Sequence, residues 1–238
     1  MNHPPDSLAQ RLAALRARMD AAAVAAGRDP AGVKLLAVSK TFPPAAVAEA
    51  LRAGLTAFGE SRMQEALPKM DAVAALPEAA GRAVQWHLIG HLQANKARKA
   101  VGAFALIHSV DSAELAQRID RIAAELGVVQ DVLLQVNASG EAQKHGVDPD
   151  RALALAALAG KLPHIRVRGL MGMAAAGGDP AAAFGTLAGL FRHIAHAAPE
   201  GVVMAELSMG MSGDFEAAIA HGATIVRVGG ALFGERHP

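Results

Sequence analysis

Apolar positions along this chain fall into two alternating patterns. Short continuous apolar runs cover residues 35–40, 56–60, 84–89, 105–110, part of 128–137, 167–173, 206–209 and 224–228. Runs of this kind read as strands buried on both faces. Between them the apolar residues recur three or four apart, as on one face of a helix. Leu8, Leu12, Leu15 and Met19 form such a stripe behind a Ser7-Leu8-Ala9-Gln10 capping box, predicting a lead helix that ends near Gly27. Further helices are expected over 45–53, closed by Gly54, and after Ser61, with Gln64 reaching back to cap it. Others follow over 93–100, after Asp111-Ser112, after Asp148-Pro149, after Asp179-Pro180 and over 214–220.

Eight short strands alternating with helices imply parallel strands joined by helical crossovers. A length of 238 residues is close to the roughly 250 typical of a (β/α)8 TIM barrel. A doubly wound open sheet is the alternative, but it normally carries a Gly-rich turn after its first strand. Here Ser39-Lys40-Thr41-Phe42-Pro43 stands in that place. The expected fold class is therefore α/β, one barrel domain over 1–238, with an extra N-terminal helix within 1–30 packing on it. In a barrel the carboxyl ends of all strands meet on one face, where sites are built. That face would collect Lys40, Ser61, His87, Asn137, Met171, Ser208 and Arg227.

Composition narrows the function classes. The chain is 52% hydrophobic and 19% charged with a net charge of +1, which gives no footprint for nucleic acid or a membrane surface. Cysteine is absent, which excludes disulfides and thiolate catalysis and fits a reducing compartment. Residues 1–6 lack the basic and apolar segments of a signal peptide, and no apolar run is long enough to span a bilayer. A soluble cytoplasmic protein is expected.

Burying an ammonium is costly, so Lys40, at the end of a buried strand, either snorkels to solvent or is chemically employed. After the eighth strand, Gly229-Gly230 lets backbone N–H groups approach an anion closely, and barrel phosphate sites recur after strands seven and eight. Ser208 can offer its hydroxyl there. The plainer alternatives are a tight turn at the glycines and a helix cap at Ser208. A Schiff-base-capable lysine facing such a cup suits a phosphorylated aldehyde. His87 and His91 are four apart, but on a strand end and its turn, with no adjoining carboxylate or cysteine, so no metal site is expected. Met171, Met173, Met209 and Met211 read as packing at the barrel mouth. Lys144 is either a second reachable amine or a solvated loop lysine.

The segments Leu35-Leu36-Ala37-Val38-Ser39-Lys40-Thr41, Phe58-Gly59-Glu60, Trp86-His87-Leu88-Ile89-Gly90-His91-Leu92-Gln93-Ala94-Asn95-Lys96, His108-Ser109-Val110-Asp111, Gln135-Val136-Asn137, Gly169-Leu170-Met171 and Leu207-Ser208-Met209-Gly210-Met211-Ser212 together resemble the YggS/PROSC family of pyridoxal phosphate homeostasis proteins. The resemblance covers nearly the whole chain in order, and the family is similar to the barrel domain of alanine racemase (fold type III). It implies that Lys40 joins pyridoxal 5'-phosphate through a Schiff base. It also implies that Ser208, Gly229 and Gly230 hold the phosphate and that Arg227 faces the pyridine nitrogen. Ser61, His87 and Met211 would complete the surroundings of the cofactor. Two positions depart from the family pattern: Ser61 stands where asparagine is usual, and Gly230 where threonine is usual. Ser61 shortens a polar group near the ring, and Gly230 loses a hydroxyl contact to the phosphate.

Racemases of this fold use a lysine and a tyrosine on opposite faces of the substrate. This chain has no tyrosine and reaches its last residue, Pro238, soon after the eighth strand. The expectation is therefore a protein that stores and hands over pyridoxal phosphate without substantial turnover, as a monomer, with apo-enzymes that need the cofactor as its partners. The competing readings are a pyridoxal-phosphate racemase or decarboxylase acting on small amino acids, a class I aldolase using Lys40, and an interaction module.

Overall fold

The computed structural model describes residues 7–141, 144–175 and 177–234. Residues 1–6 and 235–238, on which the readings of leader and tail rest, lie outside the described residues. Eight parallel strands close into a barrel in sequence order, the last pairing with the first. They are β1 (Lys34–Val38), β2 (Ala57–Glu60), β3 (Gln85–Leu88), β4 (Leu106–Val110), β5 (Gln130–Gln135), β6 (Ile165–Met171), β7 (Val202–Ser208) and β8 (Ile225–Val228). Outside them lie α1 (Leu8–Ala25), α2 (Pro44–Arg52), α3 (Met63–Ala74), α4 (Ala97–Ala100), α5 (Ala113–Leu126), α6 (Ala152–Gly160), α7 (Pro180–Ala197), α8 (Phe215–Ala220) and α9 (Gly230–Phe233).

The lead helix forms as its pattern dictates. Ser7 and Gln10 make the reciprocal capping box, and Leu8, Leu12, Leu15, Met19 and Ala23 are buried. Arg11 ties the helix to the end of the chain, its Nε donating to Leu232 O at 2.7 Å. The expected cap at Ser61 does not form. α3 starts at Met63 with Arg62 before it and no side-chain cap, because Ser61 belongs to the strand-end turn and lines the barrel mouth instead.

Two apolar layers hold the barrel. Most buried residues lie between strands and helices. A second, smaller cluster of Leu36, Leu106, Leu133, Met171 and Ile225 fills the interior, as barrel centres require. Among the described residues no helix is long and apolar enough to cross a membrane.

Candidate functional site

A cavity of about 420 Å³ opens at the carboxyl ends of the strands, within the size range of small-molecule sites. Lys40, Ser61, His91, Lys144, Arg227 and Gly230 are among its lining residues. Lys40 sits just past β1, half-buried. The next residue, Thr41, has φ of 70°, a left-handed conformation that is costly for a β-branched residue and survives only where its surroundings hold it. Its amide donates to the Glu65 carboxylate. Glu65 in turn accepts from Lys69 Nζ at 2.9 Å, and the same ammonium donates to Ser39 O and Glu60 Oε1, each at 2.8 Å. Glu60 and Lys69 are almost fully buried. Burial pushes the Glu60 carboxyl upward against the opposing pull of Lys69 and Ser39. One buried ammonium thus fixes the turn that presents Lys40. This anchor escaped sequence reasoning; its only local signal is the four-residue spacing of Glu65 and Lys69.

Beneath the cavity the barrel interior is polar along one line. Arg227 Nη1 donates to Ser208 Oγ at 2.9 Å, and its Nη2 to Gly172 O at 3.0 Å. Ser208 Oγ is 3.0 Å from His108 Nδ1, and His108 Nε2 is 3.0 Å from His87 Nδ1. No ion pair engages Arg227 among the described residues, so the strand-end salt bridge that would be its plain structural role is not seen. Burial lowers its pKa to about 10, against the nearby Asp214 charge, and it remains a cation at neutral pH.

The expected site residues separate here. Lys40, Ser61, Met211, Arg227, Gly229 and Gly230 share the cavity. Ser208 does not line it: the side chain is fully buried, with its hydroxyl between Arg227 and His108. Ser212, four residues on, lines the cavity instead. His87 points to a smaller cavity at the opposite end of the barrel, beside Lys34 and Glu206. Lys144 is no free loop lysine: it pairs with Glu141 and donates to Ala174 O at 3.0 Å.

At the far wall, Gly229 and Gly230 carry backbone N–H groups that no hydrogen bond among the described residues takes up. The rings of Phe42 and Phe233 pack at a 30° tilt with centroids 5.0 Å apart, pinning the turn after Lys40 to this wall. The cavity therefore combines a primary amine, a buried cation and unpaired backbone donors. That set suits an anion that also carries an electrophilic carbon.

Comparison with known proteins agrees with this chemistry. The family "alanine racemase, N-terminal domain" matches residues 10–237. A pyridoxal phosphate homeostasis protein of Pseudomonas aeruginosa is 46% identical over 233 residues, covering 97% of this chain and 96% of that one. The namesake from Escherichia coli is 39% identical over 242 residues, covering 97% of each chain. The chain belongs to the pyridoxal phosphate homeostasis protein family. Among solved members, PipY of Synechococcus elongatus with PLP bound superposes with a TM-score of 0.81 at 42% identity, covering 95% of this chain and all of that one. Outside the homeostasis proteins, an alanine racemase of Clostridium difficile has a TM-score of 0.69 at 18% identity, covering 98% of this chain but 57% of the racemase. That likeness is one of fold.

Proposed function

We propose that this chain binds pyridoxal 5'-phosphate at the barrel mouth and serves to store it and pass it on, as a cytoplasmic monomer whose 238 residues act as one unit. The observation that carries this reading is the cavity itself: Lys40 on one wall, the unpaired N–H groups of Gly229 and Gly230 on another, and Arg227 below. Lys40 is the amine that holds the aldehyde carbon. Gly229, Gly230 and, in place of Ser208, Ser212 take the phosphate.

Pyridoxal phosphate, when bound, would supply electron withdrawal from the carbon of an amine joined through its nitrogen to the aldehyde position, most strongly when the ring nitrogen is protonated. Arg227 is a donor-only cation. It stabilises an unprotonated nitrogen and so holds that electron withdrawal down. The chain also lacks the tyrosine that racemases of this fold place opposite the lysine. Both features favour retention of the cofactor over turnover of an amino acid, and apo-enzymes that require it are the natural recipients.

The test is an absorption spectrum of purified protein with added pyridoxal phosphate, beside Lys40→Ala. A visible band in the wild type that is missing in the variant is expected. A wild type that leaves the spectrum of the free cofactor unchanged overturns the reading. Steady racemisation or decarboxylation of alanine or serine would overturn the non-catalytic part of it.

A further inference from the structure

We propose that His91, His145 and Asp111 form a binding site for a divalent transition-metal ion at the rim of the cavity. The three residues come from three different strand-end segments: His91 follows β3, Asp111 follows β4 and His145 lies in the loop after β5. Sequence spacing offers His91 no carboxylate partner; the closed barrel brings Asp111 to it from the neighbouring strand. A ring nitrogen from each histidine and a carboxylate oxygen all lie within 4.8 Å of one another. The two imidazoles stack face to face at 3.7 Å with their planes 7° apart, and His91 Nδ1 is 3.6 Å from Asp111 Oδ2.

Two of the three ligands are braced from behind. Asp111 directly precedes Ser112, whose side chain caps α5 by accepting from Leu115 N. The backbone of His145 is held by Gln135, whose side-chain amide donates to His145 O at 3.0 Å. The histidine rings themselves are exposed, so they can rotate without disturbing the core. Around a tetrahedral zinc ion with bonds of about 2.0–2.2 Å, ligand atoms sit roughly 3.3 Å apart. Side-chain rotations that open the stack and close the triangle, from separations within 4.8 Å, by up to about 1.5 Å would reach that geometry. Two imidazoles with one carboxylate select zinc, cobalt, nickel or copper over magnesium or calcium, which demand more oxygen ligands. Three protein ligands leave at least one coordination position open. His91 and His145 both line the cavity, so an ion held by them sits at its entrance. The proposal does not depend on what the cavity holds.

The test is a titration of the full chain with Co²⁺, read by its visible d–d absorption and by displacement with Zn²⁺. Wild type should saturate at one equivalent. His91→Ala, His145→Ala and Asp111→Asn should each weaken binding at least tenfold. His193→Ala, which removes one of the two exposed histidines three apart on α7, should leave it unchanged. The substituted side chains lie at the surface or in a loop, and far-UV circular dichroism verifies that each variant is folded. Two results overturn the proposal: wild-type binding no tighter than that of a His91→Ala/His145→Ala double variant, or binding that disappears with His193.

Discussion

Ser208 accepts a hydrogen bond from Arg227 at 2.9 Å inside the barrel, and its hydroxyl also lies 3.0 Å from His108 Nδ1. The arrangement that satisfies every donor in the line has the Ser208 hydroxyl donating to His108 Nδ1, because Arg227 offers it no acceptor and that nitrogen is its other partner. His108 is then neutral with its proton on Nε2, which donates to His87 Nδ1 at 3.0 Å. A cation at one end thus orders two neutral imidazoles behind it. Replacing Ser208 with alanine leaves a buried guanidinium N–H unpaired. Hydrogen bonds to charged groups contribute about 1.5–3 kcal/mol, and about 1 kcal/mol moves the melting temperature of a chain this size by roughly 2–4 °C. Ser208→Ala is therefore expected to melt several degrees below wild type. An unchanged melting curve would show that the hydroxyl is dispensable to Arg227.

The two histidines make stability depend on pH. Burial lowers His87 to about 4 from the usual 6.5, with the Glu206 charge opposing and Lys34 assisting. Burial, then the His87 and Arg227 charges, takes His108 well below 6.5. Below pH 6.5 the unfolded chain therefore binds protons that the folded chain refuses. The sign is fixed: their contribution to stability is complete above pH 6.5 and is lost as pH falls towards 4. Each such histidine steepens the loss by about 1.4 kcal/mol per pH unit. Glu60, whose carboxyl burial pushes upward, works in the opposite sense, with stability falling as pH rises through its folded value. Urea midpoints measured from pH 7.5 to 4.5 should fall with acid, and His108→Gln should flatten the profile. Equal slopes in the two proteins would contradict the assignment.

Lys69 supports the candidate site without touching the cavity. Its ammonium joins Ser39 O, Glu60 and Glu65, and removing one partner of a buried pair typically costs about 3–5 kcal/mol. Lys69→Met should lower stability by that order and loosen the Thr41 turn. Adding Glu60→Gln removes the stranded charge, so the double variant should recover part of the loss in urea unfolding. A double variant as unstable as the sum of the two single changes would mean that Lys69 and Glu60 do not act as a pair.

The barrel was legible because its strands are buried on both faces and written as continuous apolar runs. The exception supports the rule. β7 begins at Val202, ahead of the expected 206, and Val202 to Glu206 alternates between exposed and half-buried positions, which an unbroken-run criterion passes over. Lys40 and the two glycines were legible for a different reason: strand ends and paired glycines are local features. The side on which a serine falls is not. Ser208 ends β7 and faces the barrel interior, whereas Ser212 follows the turn at Gly210, where φ is +89° and a Cβ would lie 2.6 Å from Ala218 Cβ. Nor does the sequence pair Ser39 with Lys69, thirty residues away, or His91 with Asp111 and His145. Those meetings are made by barrel closure alone.

Gly230 offers the sharpest test of the cofactor reading. Threonine is usual at this position in the resembling family, so its hydroxyl would be a phosphate contact that this chain lacks. A Cβ added at Gly230 would meet nothing within 4 Å, and its backbone is not in the left-handed region. The Cβ of Gly230→Thr is therefore accommodated without a clash. Replacing a helical glycine also removes conformational freedom from the unfolded chain, worth about 0.4–1 kcal/mol of added stability. A new neutral hydrogen bond contributes about 0.5–1.5 kcal/mol, so affinity for pyridoxal phosphate should rise by roughly 2- to 12-fold, since each 1.4 kcal/mol is tenfold. Gly229→Thr is the contrasting variant, because a Cβ there would lie 3.1 Å from Val38 O, and it should bind the cofactor more weakly than wild type. Fluorescence titration with pyridoxal phosphate separates the three proteins. If Gly230→Thr binds no more tightly while folding normally, the phosphate does not lie against the Gly229–Gly230 wall.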